Sequence, residues 1–250
     1  MPKYQYGWRR QKLDHRDLKL NSFPVDLKKS VDLRPEMPRV YNQGQTSSCV
    51  GNATAAAIHY ARIKQSLATW TPSRLFLYYN ARVLEGTADQ DSGSEIRDAV
   101  KQAVNLGVCS EDIWPFDPLL VTGRPSNNSY DLATHARVTK YAAVDQSLEH
   151  ILSCLHHGLP VVFGCSVYNA IESEDVAASG IVPMPGPDDA PIGGHAMLIV
   201  GWDADTQQFI VRNSWGEGWG QKGYCFFPRD YVLNPNIASD FWAILLEARN

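Results

Sequence analysis

Up to residue 48 the chain shows little periodicity. Residues 1–30 are polar and rich in Lys, Arg and Asp. Residues 31–48 carry Pro35, Pro38, Gly44 and the small polar run Thr46, Ser47, Ser48, a texture of extended chain and loop. At Cys49 the pattern changes. The run VGNATAAAIHYARIKQSLA is alanine-rich, lacks proline and is apolar on most sides, so it predicts a buried central helix. A second helix is predicted over 72–84, opened by Pro72 after Thr71. A third runs from Ser94 to about Leu106 and stops at Gly107. A turn-rich connector follows at 115–129.

Beyond it the period shortens. RVTKYAAV, PVVFGCSV, HAMLIVGW, QFIVRNS and GYCFFPR are short β-rich runs bounded by Gly, Pro and Asp, with one helix near 146–157 among them. Helices first and strands afterwards predict an α+β chain rather than an alternating one. The expected division is an N-terminal extension over 1–29, a mainly helical lobe over 30–130 and a mainly β lobe over 131–250.

Composition adds exclusions. The chain has 250 residues, 44% of them apolar and 20% charged, which suits a globular protein with a large core. A net charge of −4 gives no basic face for nucleic acid. No stretch approaches the roughly 18 apolar residues that span a bilayer, so no membrane partner is expected. The first 20 residues lack an apolar signal region, and the five cysteines are odd in number with no CxxC pair. The expectation is a cytosolic monomer with reduced thiols, without metal or cofactor.

Three residues, with Gln43 beside the first of them, then stand out. Cys49 lies where loop becomes helix, where the helix dipole and free N–H groups favour thiolate. Gln43, six residues earlier, offers a side-chain amide donor for an anion. His195 precedes an apolar strand, after Gly193 and Gly194. Asn213 follows on the next strand, where its amide oxygen could fix a histidine ring. Each has a bland alternative: a core thiol, a structural histidine, a turn residue. Together they form a nucleophile, a base and an orienting group.

These segments resemble the papain-like cysteine peptidases. Gln43-Gly44-Gln45-Thr46-Ser47-Ser48-Cys49 is similar to that family's nucleophile segment, and Gly193-Gly194-His195-Ala196 to its histidine segment. Asn213-Ser214-Trp215-Gly216-Glu217-Gly218-Trp219-Gly220, with Gly223-Tyr224, looks like its asparagine segment almost residue for residue. Asp91-Ser92-Gly93-Ser94 and Trp114-Pro115-Phe116 resemble its substrate-binding loop and the segment after it. There are departures. Thr46 stands where the family usually has a cysteine, and Val50 replaces an aromatic residue. Gly194 stands where many relatives carry a charged or amide side chain. The spacing from Cys49 to Asn213 exceeds the family's usual 130–150 residues, which places extra length near 168–192.

The resemblance implies a papain-like two-lobe fold with a barrel-like antiparallel lobe. It implies a peptidase acting on peptide or protein substrates. Cys49 would attack the carbonyl, His195 would serve the leaving amine, and Asn213 would hold His195 under the cover of Trp215. The Cys49 N–H and Gln43 would bind the oxyanion. Gly93 would pair with substrate backbone, with Ser94 and Gly194 beside it. Cys109, Cys154, Cys165 and Cys225 would be inert. The 30 residues before the mature-like segment are too few for the usual prodomain, and short-prodomain bacterial members lay a brief peptide across the cleft. Tyr4–Lys19 is expected to do so here, anchored by Tyr6 and Trp8; the alternative is a free tail. Two other functions fit the same residues: acyl transfer to an amine, and an inactive binding module.

Overall fold

The computed structural model describes residues 2–245. Its elements, in chain order, are β1 (Val31–Asp32), α1 (Cys49–Lys64), α2 (Arg74–Glu85), α3 (Ile96–Asn105), α4 (Asn127–Ala133), β2 (Lys140–Ala143), α5 (Leu148–His156), β3 (Val161–Tyr168), α6 (Glu174–Ser179), β4 (Pro191–Asp203), β5 (Gln208–Arg212), β6 (Tyr224–Pro228), α7 (Arg229–Leu233) and β7 (Ala238–Leu245). Helices dominate the first half and an antiparallel sheet the second.

The alanine run forms α1 as predicted. Residues 49–58 and Tyr60 are all buried, because small side chains let α2, α3 and β4 close on it from several sides. The helix stops at Lys64, earlier than the pattern suggested. For α2 the start signal is Ser73, not Pro72: its hydroxyl accepts from the Phe76 N–H, and Gly86 ends the helix in the left-handed region at φ 71°. The end of the connector runs into α4, which the sequence hid. Its Asn-Asn-Ser opening carries no apolar period, and its start is fixed by the Ser126 hydroxyl accepting from the Ser129 N–H.

The sheet runs β2-β7-β3-β4-β5-β6, with β1 added against β4. The strand β7, with the apolar run FWAIL, was not among the predicted strands. It holds a central place between β2 and β3. In β3 and β4 the register sets Cys165 opposite His195 and Gly164 opposite Ala196.

Arg82 stiffens the loop that leads to Gly93. It is fully buried and lies 3.9 Å from the Tyr78 ring, and its guanidinium donates to the carbonyls of Gln90 and Val121. Tyr78 then donates to Asp91 Oδ1 at 2.6 Å and accepts from the Gly93 N–H at 2.9 Å. Asp91 in turn accepts from the Ser47 N–H at 3.0–3.1 Å. The 91–94 loop and the start of α1 are thereby fixed to one another.

Candidate active site

Cys49 is the first residue of α1 and is fully buried. The loop before it is held by side chains rather than by a disulfide. Thr46 Oγ1 donates to the Gln43 carbonyl at 2.8 Å and lies 2.6 Å from Ser48 Oγ; Asn52 Nδ2 donates to Ser48 at 2.9–3.0 Å. Thr46 thus braces the loop locally, between Gln43 and Ser48.

Ser214 orients Gln43. Its Oγ donates to Gln43 Oε1 at 2.6 Å, and its carbonyl accepts from the Gln43 N–H at 2.8 Å. The Gln43 amide nitrogen is therefore turned inward, where it donates to the carbonyls of Thr46 at 2.8 Å and Gln5 at 3.2 Å. Ser214 carried no signal in the sequence beyond its place next to Asn213.

His195, fully buried on β4, donates from Nε2 to Asn213 Oδ1 at 2.8 Å. That bond leaves Nδ1 as the unprotonated nitrogen. Nδ1 is buried without a hydrogen-bond partner among the described residues. The Ser214 N–H also donates to Asn213 Oδ1, at 2.8 Å. Trp215 stacks on the imidazole at 5.0 Å between centroids, with Trp219 edge-on behind it at 4.9 Å. Trp215 covers a face of the imidazole, and His195 and Asn213 are both buried.

The N-terminal segment fills the space between these groups. The Trp8 N–H donates to the Gly194 carbonyl at 2.9 Å. The Ser94 N–H donates to the Gly7 carbonyl at 2.8 Å, and the Arg9 N–H to the Ser94 carbonyl at 3.1 Å, forming a parallel bridge. The paired backbone groups are those of Ser94; Gly93, at φ 75°, gives the Gly7 backbone room to approach. Tyr4 stacks on Trp215 at 3.8 Å, and Tyr6 meets His195 edge-on at 5.8 Å. Trp8 lies flat against Gly164 and Gly194 and donates from its indole to Asp240 Oδ2 at 3.0 Å. Tyr6 and Trp8 were the expected anchors; Tyr4 is a third.

Glu172 secures the far end. It accepts from the Tyr6 hydroxyl at 2.6 Å and from the N–H groups of Lys3, at 2.8–2.9 Å, and Tyr4, at 3.3 Å. It lies within the 168–192 stretch, where extra length was expected.

Burial sets the electrostatics. It pushes the Cys49 thiol up to about 11, against backbone N–H groups of Ala196, Gly7, Val50 and Cys49 that favour thiolate. It pulls His195 down to about 4, against the Asn213 bond that favours the charged form. The helix start favours thiolate, as the sequence suggested, but under the covering segment desolvation outweighs it. Thiol and imidazole are therefore both neutral in this state. Because Cys49 is fully buried and its proton is held as pH climbs, iodoacetamide is expected to alkylate it slowly at pH 7 in the intact chain and much faster once residues 2–11 are removed. Equal rates in the two chains would contradict this.

All five cysteines are unpaired and buried. Among the described residues no cluster of three or more His, Cys, Asp or Glu suits a metal, and no helix is long and apolar enough to cross a membrane.

The sequence pattern of the papain family cysteine proteases matches residues 27–244. A peptidase C1-like protein of Acanthamoeba polyphaga mimivirus is 43% identical over 228 residues, covering 88% of this chain and 73% of that protein. The crystal structure of xylellain, a cysteine protease from Xylella fastidiosa, superposes with a TM-score of 0.91 at 38% identity, covering 97% of this chain and 96% of that one. Digestive procathepsin L 3 of Tenebrio molitor larval midgut shares the fold, with a TM-score of 0.72 at 22% identity, covering 92% of this chain and 75% of that one. The chain belongs to the papain family of cysteine peptidases, with the two-lobe α+β fold of that family.

Proposed function

We propose that this chain is an endopeptidase acting through Cys49, His195 and Asn213, and that residues 4–9 hold it latent. The observation that carries the reading is the 2.8 Å contact of His195 Nε2 with Asn213 Oδ1. An Nε2 proton committed to Asn213 leaves Nδ1, buried and unpartnered among the described residues, to take the proton of Cys49, which the N–H of the neighbouring Ala196 reaches. In the open site Nδ1 takes the thiol proton, and sulfur attacks a peptide carbonyl. The oxyanion is met by the Cys49 N–H and by Gln43 Nε2, which in the latent state already donates to the Gln5 carbonyl. The imidazolium returns its proton to the leaving amine, giving a thioester and a free amine. Water, deprotonated by Nδ1, then releases the acid and regenerates the thiol. The backbone of Ser94 and the Gly194 carbonyl offer pairing groups for an extended peptide, with Gly93 giving it room and Trp215 supporting His195 behind it.

A chain lacking residues 2–11 is expected to cut unmodified peptides, with Cys49→Ala as the inactive control and mass spectrometry identifying the products. Ligated rather than hydrolysed products would make it a transferase. No products, with Cys49 alkylated near pH 6 no faster than Cys109 or Cys225, would leave only a binding module.

A further inference from the structure

Charge is unevenly shared between the covering segment and the body beneath it. Residues 1–12 hold Lys3, Arg9, Arg10 and Lys12 and no acidic residue, so a chain of net charge −4 leaves −8 on residues 13–250. One acidic group of that body is unusually placed. Glu85 is the last residue of α2, and its side chain is only 7% exposed. A carboxylate in the last turn opposes the helix dipole, so it does not serve α2. Its Oε1 accepts from the Glu95 N–H at 2.7 Å, and its Oε2 accepts from the Arg9 guanidinium. The Arg9 N–H is held by the Ser94 carbonyl at 3.1 Å.

The neighbouring guanidinium groups are engaged elsewhere. Arg97 donates to Asp17 and to the Lys12 carbonyl, each at 2.7 Å, and Arg82 donates to the carbonyls of Gln90 and Val121. Burial pushes the Glu85 carboxyl up to about 7; the Glu95 N–H and Arg9 oppose this, while the carboxylates of Asp98 and Glu95 add to it. Once the segment leaves, Oε2 is a buried carboxylate oxygen without its cation, which is costly. The open cleft therefore lacks one positive charge at a defined place.

That place can be counted along a substrate. The Gly7 N–H faces the Cys49 thiol, Trp8 follows at Gly194, and Arg9 follows at Glu85. Tyr4 and Tyr6 lie toward Trp215 and His195, where a leaving amine takes its proton. Trp8 and Arg9 extend the other way, past Ser94, so Glu85 stands beside the half of a substrate that stays on sulfur. We propose that Glu85 is a specificity-determining residue, and that it takes the guanidinium or ammonium of an Arg or Lys standing third from the cleaved bond, counting the residue over Cys49 as the first. The substrates are accordingly basic peptides. This rests on the reading of Cys49 as a peptidase nucleophile and deepens it. Arg9 holds in the latent chain the position that a substrate side chain takes in the open one.

The test uses the full chain with Cys49→Ala, so that no probe is consumed, together with Gly7→Val and Arg9→Gln. A Cβ at residue 7 has no room beside the Ser47 carbonyl, and Arg9→Gln removes the competing guanidinium. The probes are dye-labelled heptapeptides of alanine and serine with one Arg moved through the positions in turn. A matched set carries citrulline, which has the shape of arginine without its charge. By fluorescence anisotropy one Arg peptide is expected to bind roughly tenfold or more tighter than its citrulline twin. Glu85→Gln, whose side-chain oxygen can still accept from Glu95, should bring the two within about twofold. A merely structural role would weaken both peptides and leave their ratio unchanged. Equal affinities with Glu85 present, a ratio unmoved by Glu85→Gln, or no binding of any probe overturns the proposal. The tightest peptide is then given to the chain that keeps Cys49. Arg-dependent binding without cleavage sinks the peptidase reading and leaves the Glu85 subsite standing.

Discussion

Replacing His195 with alanine is expected to lower kcat/KM for peptide hydrolysis by about 10⁴-fold in the unblocked chain. Without Nδ1 nothing takes the thiol proton or returns it to the leaving amine, and both halves of the reaction fail. Cys49→Ala should cost as much, and the double variant no more than either, because the two groups act as a unit. Gln43→Ala should cost less, roughly 10²- to 10³-fold, since it removes one of two oxyanion donors. The fold should survive His195→Ala, because Asn213 Oδ1 keeps the Ser214 N–H. Near-UV circular dichroism checks that point. A His195→Ala chain within tenfold of the parent would remove His195 from the mechanism.

The second large effect concerns latency. A Cβ on Gly7 would lie 1.7 Å from the Ser47 carbonyl oxygen, a backbone atom tied through its own residue to Asp91. No side-chain rotation relieves such a clash, so Gly7→Val should dislodge the segment around it. The bonds from Ser94 to Gly7 and from Gln43 to Gln5 go with it. A full-length Gly7→Val chain is expected to hydrolyse peptides about 10- to 100-fold faster than the full-length parent, the shift that a loss of roughly 1.4–2.8 kcal/mol in closure produces. Equal rates would mean that the segment does not limit access to Cys49.

Much of this arrangement was legible in residues 43–49, 193–196 and 213–224. Their chemistry depends on residue types at fixed local spacing, and a helix start or strand entrance sets how each side chain is presented. What the sequence hid depends on partners far apart along the chain. Trp8 meets Asp240 across 232 positions, and Tyr6 meets Glu172 across 166. No periodicity marks such pairs. Ser214 and Asp91 stand inside the family-like segments, but nothing in the sequence pairs them with Gln43 and Ser47. The strand β7 was not predicted either, yet it carries Asp240.

The bare backbone beneath Trp8 has an evolutionary consequence. A methyl group on Gly164 would sit 2.0 Å from the indole, and one on Gly194 would meet the Trp8 carbonyl at 2.3 Å. The wall is therefore fitted to its own plug, and neither can drift alone. A descendant that discarded the plug would be released from that constraint, and larger residues at these two positions would be the mark it left.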